Sequence, residues 1–246
     1  MVSNGSDEEL LARSPFLREG DAQVWTSIAD LGEHRTISRG EIIYQQGEHA
    51  RRMFYLVRGR VKLTMGNAMG MERLVTIVEA RSSFGEAAAF AGLPYHISAT
   101  AMEKSDLLSF DAETLLGAML QHPNLLREVL TQIAYKQRIV AIQAESIVFH
   151  SPTERVALLL LHLSASYGVV LPGEQGTKVE VRVPLADLAG ILGMSRITLS
   201  REIAKLQRAG IVTKDKRDIV VLDARALQGR APIEVSFHEY SGPDSR

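Results

Sequence analysis

Between Ser195 and Arg217 the chain sets seven basic residues against two acidic ones, in a protein whose formal net charge is -1. A basic patch in a nearly neutral chain is a local surface for a polyanion, not a property of the whole molecule. Its centre reads as helix, tight turn, helix: Asp187–Leu192, Gly193, then Ser195–Ala209. Ala189 is small where two helices must cross closely, and Gly193 supplies a permissive turn. Leu199, Ile203 and Leu206 follow steps of 4 and 3 and form the buried side of the second helix. At about 100° per residue the opposite side carries Ile197, Arg201, Lys205 and Arg208, with Arg196 and Ser200 on its flanks. The N-terminal end of such a helix is the part that enters the major groove of double-stranded DNA. Arginine pairs bidentately with guanine O6 and N7, and an exposed isoleucine suits a thymine methyl. Ser195 and Ser200 can reach phosphate or base edges. A merely solvated amphipathic helix would show the charge alone. Here the charged turn Lys214-Asp215-Lys216-Arg217 also leads into Ile219–Leu222, a hairpin wing suited to backbone phosphates. The DNA-contacting set is therefore Ser195, Arg196, Ile197, Ser200, Arg201 and Lys205.

The elements that must position this head lie upstream. From Thr36, short β-type runs alternate with glycines: Ile42–Tyr44, Met53–Val57, Val61–Thr64 and Leu74–Val78, then Ser98–Met102 and Asp106–Phe110. Strands of this length and spacing predict an all-β sandwich or barrel. Residues 21–33 have the texture of a short helix. Asp111 is placed to cap a helix from Ala112, and Pro123 restarts it. No Gly or Pro interrupts Asn124–Phe149. Its Leu126, Leu130, Ile133, Gln137, Val140, Ala144 and Ile147 advance by 4, 3, 4, 3, 4, 3, the a/d seam of a coiled coil. A stripe that narrow suits one partner helix better than a broad core, so it predicts pairing with a second copy. Ser151-Pro152 ends that helix and caps the next, the apolar Thr153–Tyr167. Gly168–Gly176 reads as a loop and Gly229–Arg246 as a tail, in which Val235–Phe237 could add a strand. The expected division is a sensor over 1–122, a dimerisation helix over 123–150, a reading head over 151–228 and a tail over 229–246. The fold class is α+β.

Composition removes several alternatives. The absence of cysteine excludes disulfides, thiol switches and cysteine-ligated iron–sulfur or zinc sites, and fits the cytoplasm where we place the protein. Met1–Leu10 is too polar for a signal peptide, and the longest apolar stretches, such as Val156–Leu161, are too short to span a bilayer. A catalytic or metal role finds no support: the histidines form no His-x-His, and there is no P-loop and no Gly-x-Ser-x-Gly.

With these elements in order, the chain resembles the cyclic-AMP receptor protein/fumarate-nitrate regulator family of bacterial transcription factors from about Leu17 to Leu227. Three stretches carry the resemblance: Arg39–Glu48 with Tyr55–Gly59, then Phe84-Gly85-Glu86-Ala87-Ala88, then Gly193–Arg201. It implies a β-roll sensor, a dimer helix and a winged helix, acting as a homodimer on a palindromic operator together with RNA polymerase. It also implies an effector site in the roll, which falls here on Gly85, Glu86, Tyr95, His96, Lys136 and Val140. Nucleotide-binding members follow the Gly-Glu pair, about ten residues on, with an Arg-Ser pair that neutralises the cyclic phosphate. This chain has Tyr95-His96 or His96-Ile97 there, and no Arg between Glu86 and Glu103. The family's adenine-reading Thr-Ser pair falls on Val140-Ala141, neither of which makes side-chain hydrogen bonds. Many members have Glu where this chain has Ile197, so the common family operator is not implied. The expectation is an effector other than cyclic AMP: an aromatic or carboxylate molecule for which Tyr95, His96, Tyr55 and Lys136 are available. The run Ala99–Glu103 is similar to the branch that senses chlorinated aromatics. A cyclic nucleotide and haem are the alternatives, and no cofactor is assigned.

Overall fold

The computed structural model describes residues 16–17, 20–68, 72–172, 176–179, 183–215 and 218–232. They form two compact units, one drawn from Ala12–Glu145 and Val183–Arg196, the other from Ser146–Arg182 and Ile197–Arg246. Val235–Phe237 and most of the tail lie outside the described residues.

The first unit is built on two sheets. One has the order β1 (Phe16–Leu17), β6 (Glu72–Glu79), β5 (Arg60–Gly66), β8 (Ser98–Ala101), β3 (Ile42–Tyr44). The other has the order β2 (Glu33–Ile37), β9 (Ser105–Asp111), β4 (Arg52–Arg58), β7 (Ser82–Phe84). All pairings are antiparallel except β1 with β6. Met53–Leu56 is buried without interruption because β4 is central in its sheet. Aromatic side chains fill the roll: Trp25 stacks on Tyr55 at 4.6 Å, Tyr44 on Tyr95 at 3.8 Å and Phe54 on Phe84 at 5.2 Å. Such pairs contribute about 0.5–1.5 kcal/mol each beyond the area they bury.

Three of these strands were not anticipated: β1 is only two residues long and shows no pattern, and the other two escape for different reasons. Glu33–Ile37 is an edge strand that buries only Ile37, so it shows no alternation. Ser82–Phe84 is fully buried but begins with two serines. The helix expected over 21–33 is shorter. It runs over Ala22–Thr26 (α1), capped by Asp21, and gives way to a 3-10 turn at Ala29–Leu31 before β2.

Helix α2 (Glu86–Ala91) follows β7. Asp111 caps α3 (Ala112–Gln121) by accepting from the Thr114 amide, and α4 runs from Pro123 to Phe149. In the second unit, Ser151 and Glu154 form a reciprocal capping box, with Pro152 at the first position of α5 (Pro152–Tyr167). The loop expected over Gly168–Gly176 begins instead as strand β10 (Gly168–Val170), paired with β11 (Thr177–Val179). The sheet continues through β13 (Asp218–Val221) to β12 (Val212–Asp215), the hairpin expected as the wing. Helix α6 (Leu185–Ile191) belongs to the first unit, whereas nearly all of α7 (Arg196–Arg208) and the whole of α8 (Ala224–Gln228), which packs on α5, belong to the second. Gly193, at φ +63, makes the turn after α6, where the Met194 amide donates to Ala189 O.

Candidate effector cavity and DNA-reading helix

Strand β7 ends at Phe84 and α2 begins at Glu86, so Gly85 must reverse the chain in one residue. It does so at φ +85, a conformation that favours glycine, and a side chain there would press on Phe54 and the Arg52 carbonyl. The reversal aims Glu86 into a cavity of about 350 Å³. Gly85, Glu86, Tyr95, His96, Lys136 and Val140 all line this cavity. Tyr55 does not, because its ring is held in the core against Trp25. Tyr44, Leu63, Val75, Phe84, Ile97 and Gln143 also line it, and the sequence reading had not assigned them to it.

Glu86 is buried, at 5% relative exposure. Its Oε1 accepts from Lys136 Nζ at 2.8 Å, while Oε2 is buried with no hydrogen-bond partner among the described residues. Lys136 also donates to Ser83 O at 2.8 Å and Ser83 Oγ at 3.2 Å. An ammonium has three N–H donors, so all three are engaged. The expectation that Lys136 is available to a carboxylate ligand is therefore corrected. The polar chain continues along α4. Gln132 Oε1 accepts from Ser83 N and Oγ at 2.8 and 2.7 Å, Gln132 Nε2 donates to Glu128 Oε1 at 2.6 Å, and the Asp21 amide donates to the same oxygen. Burial, then the Glu86 charge, pushes the Tyr44 phenol well above its ordinary value. Burial raises Tyr95 as well, against the opposing effect of its hydrogen bond to the Arg52 carbonyl. Both phenols stay neutral near pH 7 and offer no charge.

Helix α4 carries two stripes. Leu125, Val129, Gln132, Lys136, Ile139 and Gln143 advance by 4, 3, 4, 3, 4 on the side that packs on the roll, with Leu125, Val129, Gln132 and Ile139 buried. The stripe predicted as a seam lies one residue later. Leu126 and Ile133 are half-buried, and Leu130, Gln137, Val140, Ala144 and Ile147 are exposed. Three of these, Ile133, Gln137 and Val140, also line the cavity. The inner stripe, with Gln132 and Gln143, had a 4-3 periodicity of its own in the sequence. It escaped notice because half of it is polar.

On α7, Leu199, Ile203 and Leu206 are buried as expected, and Arg196, Ile197, Ser200, Arg201 and Lys205 are exposed, as is Ser195 just before it. Glu202 was not foreseen as a structural group. It is buried, accepts from Thr153 Oγ1 at 2.6 Å and from Lys205 Nζ at 2.7 Å, and so ties α7 to the start of α5. Burial raises its pKa, but the hydrogen bonds from Lys205 and Thr153 and the Lys205 charge outweigh this and hold it below the usual carboxylate range. A depressed folded-state pKa gives stability that is present above the unfolded value and lost as pH falls through the folded one. The difference in melting temperature between the protein and Glu202→Gln should therefore be largest at neutral pH and narrow on acidification below about pH 4. A difference independent of pH would remove the ionic role of Glu202. In the wing, Lys178 bonds Asp215 at 2.9 Å and Asp218 at 3.1 Å, which raises its pKa, while Lys216 and Arg217 lie outside the described residues.

A buried Gly-Glu cradle in a β-roll, followed by a long helix and a winged reading helix, has matches among known proteins. Residues 34–122 match the cyclic nucleotide-binding domain family and residues 154–230 match the Crp-like helix-turn-helix domain family. This chain belongs to the CRP/FNR family. A CRP-like cAMP-activated global transcriptional regulator of Mycobacterium tuberculosis is 24% identical over 226 residues, covering 91% of this chain and 99% of that protein. The global nitrogen regulator of Synechocystis is 26% identical over 196 residues, covering 78% and 85%. Among solved structures, OCPA-complexed CprK superposes with a TM-score of 0.72 at 22% identity, covering 89% of this chain and 98% of that one. A CooA variant from Carboxydothermus hydrogenoformans gives 0.74 at 19%, covering 87% and 97%. The protein is a CRP-family DNA-binding transcription regulator with an effector-binding domain. Among the described residues no helix is long and apolar enough to cross a membrane.

Proposed function

We propose that the protein is a cytoplasmic, non-enzymatic regulator that binds palindromic operators as a homodimer and is controlled by a small organic effector in the roll. In this reading residues 1–122 sense, 123–150 dimerise, 151–228 read DNA, and 229–246 form a tail. The operator-bound dimer acts with RNA polymerase. Ser195, Arg196, Ile197, Ser200, Arg201 and Lys205 face the DNA. The effector has an aromatic or otherwise apolar body and is not cyclic AMP, since among the described residues the lining carries no arginine for a cyclic phosphate.

One observation supports the control mechanism above others. Ile133, Gln137 and Val140 belong to both the cavity wall and the outward stripe of α4. A molecule in the cavity touches the surface on which a second copy packs. It shifts a pre-existing equilibrium between two dimer arrangements by its different affinity for each, and that sets the spacing of the two reading helices. The test is selection of DNA from a random pool by the purified full chain. The expected product is an inverted repeat with half-sites about one helical turn apart, bound by two chains. Enrichment of an unsymmetrical sequence bound by one chain, or no enrichment, would overturn the reading.

A further inference from the structure

The cavity's polar groups specify more about its ligand than its shape does. Glu86 is 95% buried by its 5% exposure and presents one oxygen, Oε2, that has no hydrogen-bond partner among the described residues. Gln143 Nε2, a buried donor on the same cavity wall, has none either. The one ammonium in the lining among the described residues, Lys136, is engaged by Glu86 Oε1, Ser83 O and Ser83 Oγ. To recruit that lysine an anion entering the cavity would have to strip it from Glu86, leaving a buried carboxylate without its counter-charge, which proteins avoid. A cation would meet the ammonium. Glu86 and Lys136 already balance one another, and the two unpartnered atoms leave one hydrogen bond to be donated and one to be accepted.

We infer that the roll binds an uncharged molecule with an apolar or aromatic body bearing a hydroxyl or amide group, which donates to Glu86 Oε2 and accepts from Gln143 Nε2. The inference rests on the reading of the roll as an effector site and narrows it: phosphates and carboxylates are excluded as a class. The aromatic rings of Tyr44, Phe84 and Tyr95 supply the apolar wall. An engineered cavity of about 150 Å³ holds benzene, so about 350 Å³ has room for roughly two ring-sized groups.

Two matched probes decide it. 4-Fluorobenzamide and 4-fluorobenzoate share ring and outline, but the first is neutral and carries N–H donors while the second is an anion. Each, with cyclic AMP as a third probe, is titrated into the full-length protein at pH 7 and followed by fluorine NMR or, for the nucleotide, calorimetry. The benzamide is expected to bind saturably and at least about tenfold more tightly than the benzoate, a difference of about 1.4 kcal/mol. In Glu86→Gln the side-chain oxygen must still face Lys136, so the new amide N–H₂ points where Oε2 stood. That variant should reverse the order of the two probes. Gln143→Leu should weaken the benzamide several-fold without helping the benzoate, and it decides the matter if Glu86→Gln fails to fold. Tighter or equal binding of benzoate or cyclic AMP overturns the neutral class and leaves the roll an effector site. An unreversed order in folded Glu86→Gln removes Glu86 as the recognising group. No saturable binding by any of the three overturns both this inference and the effector reading on which it stands.

Discussion

Replacing Arg196 and Arg201 together with alanine is expected to weaken binding to a selected operator by about a thousandfold or more, with little change in thermal stability. A lost base contact of this kind costs about 1–3 kcal/mol. Two arginines on each of two chains give four such contacts, so even the low end totals about 4 kcal/mol, close to three decades. Stability should hold because both side chains are exposed on α7 and neither forms an ion pair among the described residues. The buried triplet Leu199, Ile203 and Leu206 and the Glu202 clasp remain in place. Fluorescence anisotropy at several salt concentrations makes the check. A double variant that binds as the parent does would mean that α7 is not the reading helix.

The second large effect concerns the outward stripe. Leu130→Glu with Ile147→Glu should convert the proposed dimer to monomer at micromolar concentration, as read by sedimentation velocity, and with it abolish operator binding. Each leucine or isoleucine removed from an interface gives up about 1.5–3 kcal/mol. Four positions across two chains give roughly 6–12 kcal/mol, against the roughly 8 kcal/mol that corresponds to micromolar association. The introduced carboxylates add repulsion. Leu130 and Ile147 are 54% and 51% exposed, so the fold of the single chain does not depend on them and the circular dichroism spectrum should be unchanged. A variant that remains dimeric would place the interface elsewhere.

The sequence revealed those parts of the molecule whose physics is local. The 3.6-residue periodicity of α4 and α7, the Ser151 cap and the glycine-punctuated strands are all patterns within one segment, and each element stands within a residue or two of where they imply. All six residues that the family resemblance placed at the effector site line one cavity. What escaped was decided by partners distant in the chain. Lys136 was expected to be available to a ligand, but Ser83 and Glu86, some fifty residues upstream, accept its three hydrogen bonds. Gln132 and Ser83 carry no local sign of burial, yet they are hydrogen-bonded to each other in the interior. Tyr55 was counted as a ligand group because nothing local shows that Trp25 covers its ring.

The double duty of Ile133, Gln137 and Val140 bears on how such a sensor acquires a new signal. On the proposed reading, a substitution at any of them alters the chemical specificity and the pairing surface in one step, so variation there is doubly constrained. Leu63, Val75 and Ile97 reach the same cavity from the sheet side and stand on no such stripe. They are the positions at which a lineage, or a designer, can drift toward a different signal while the partnership between chains is conserved.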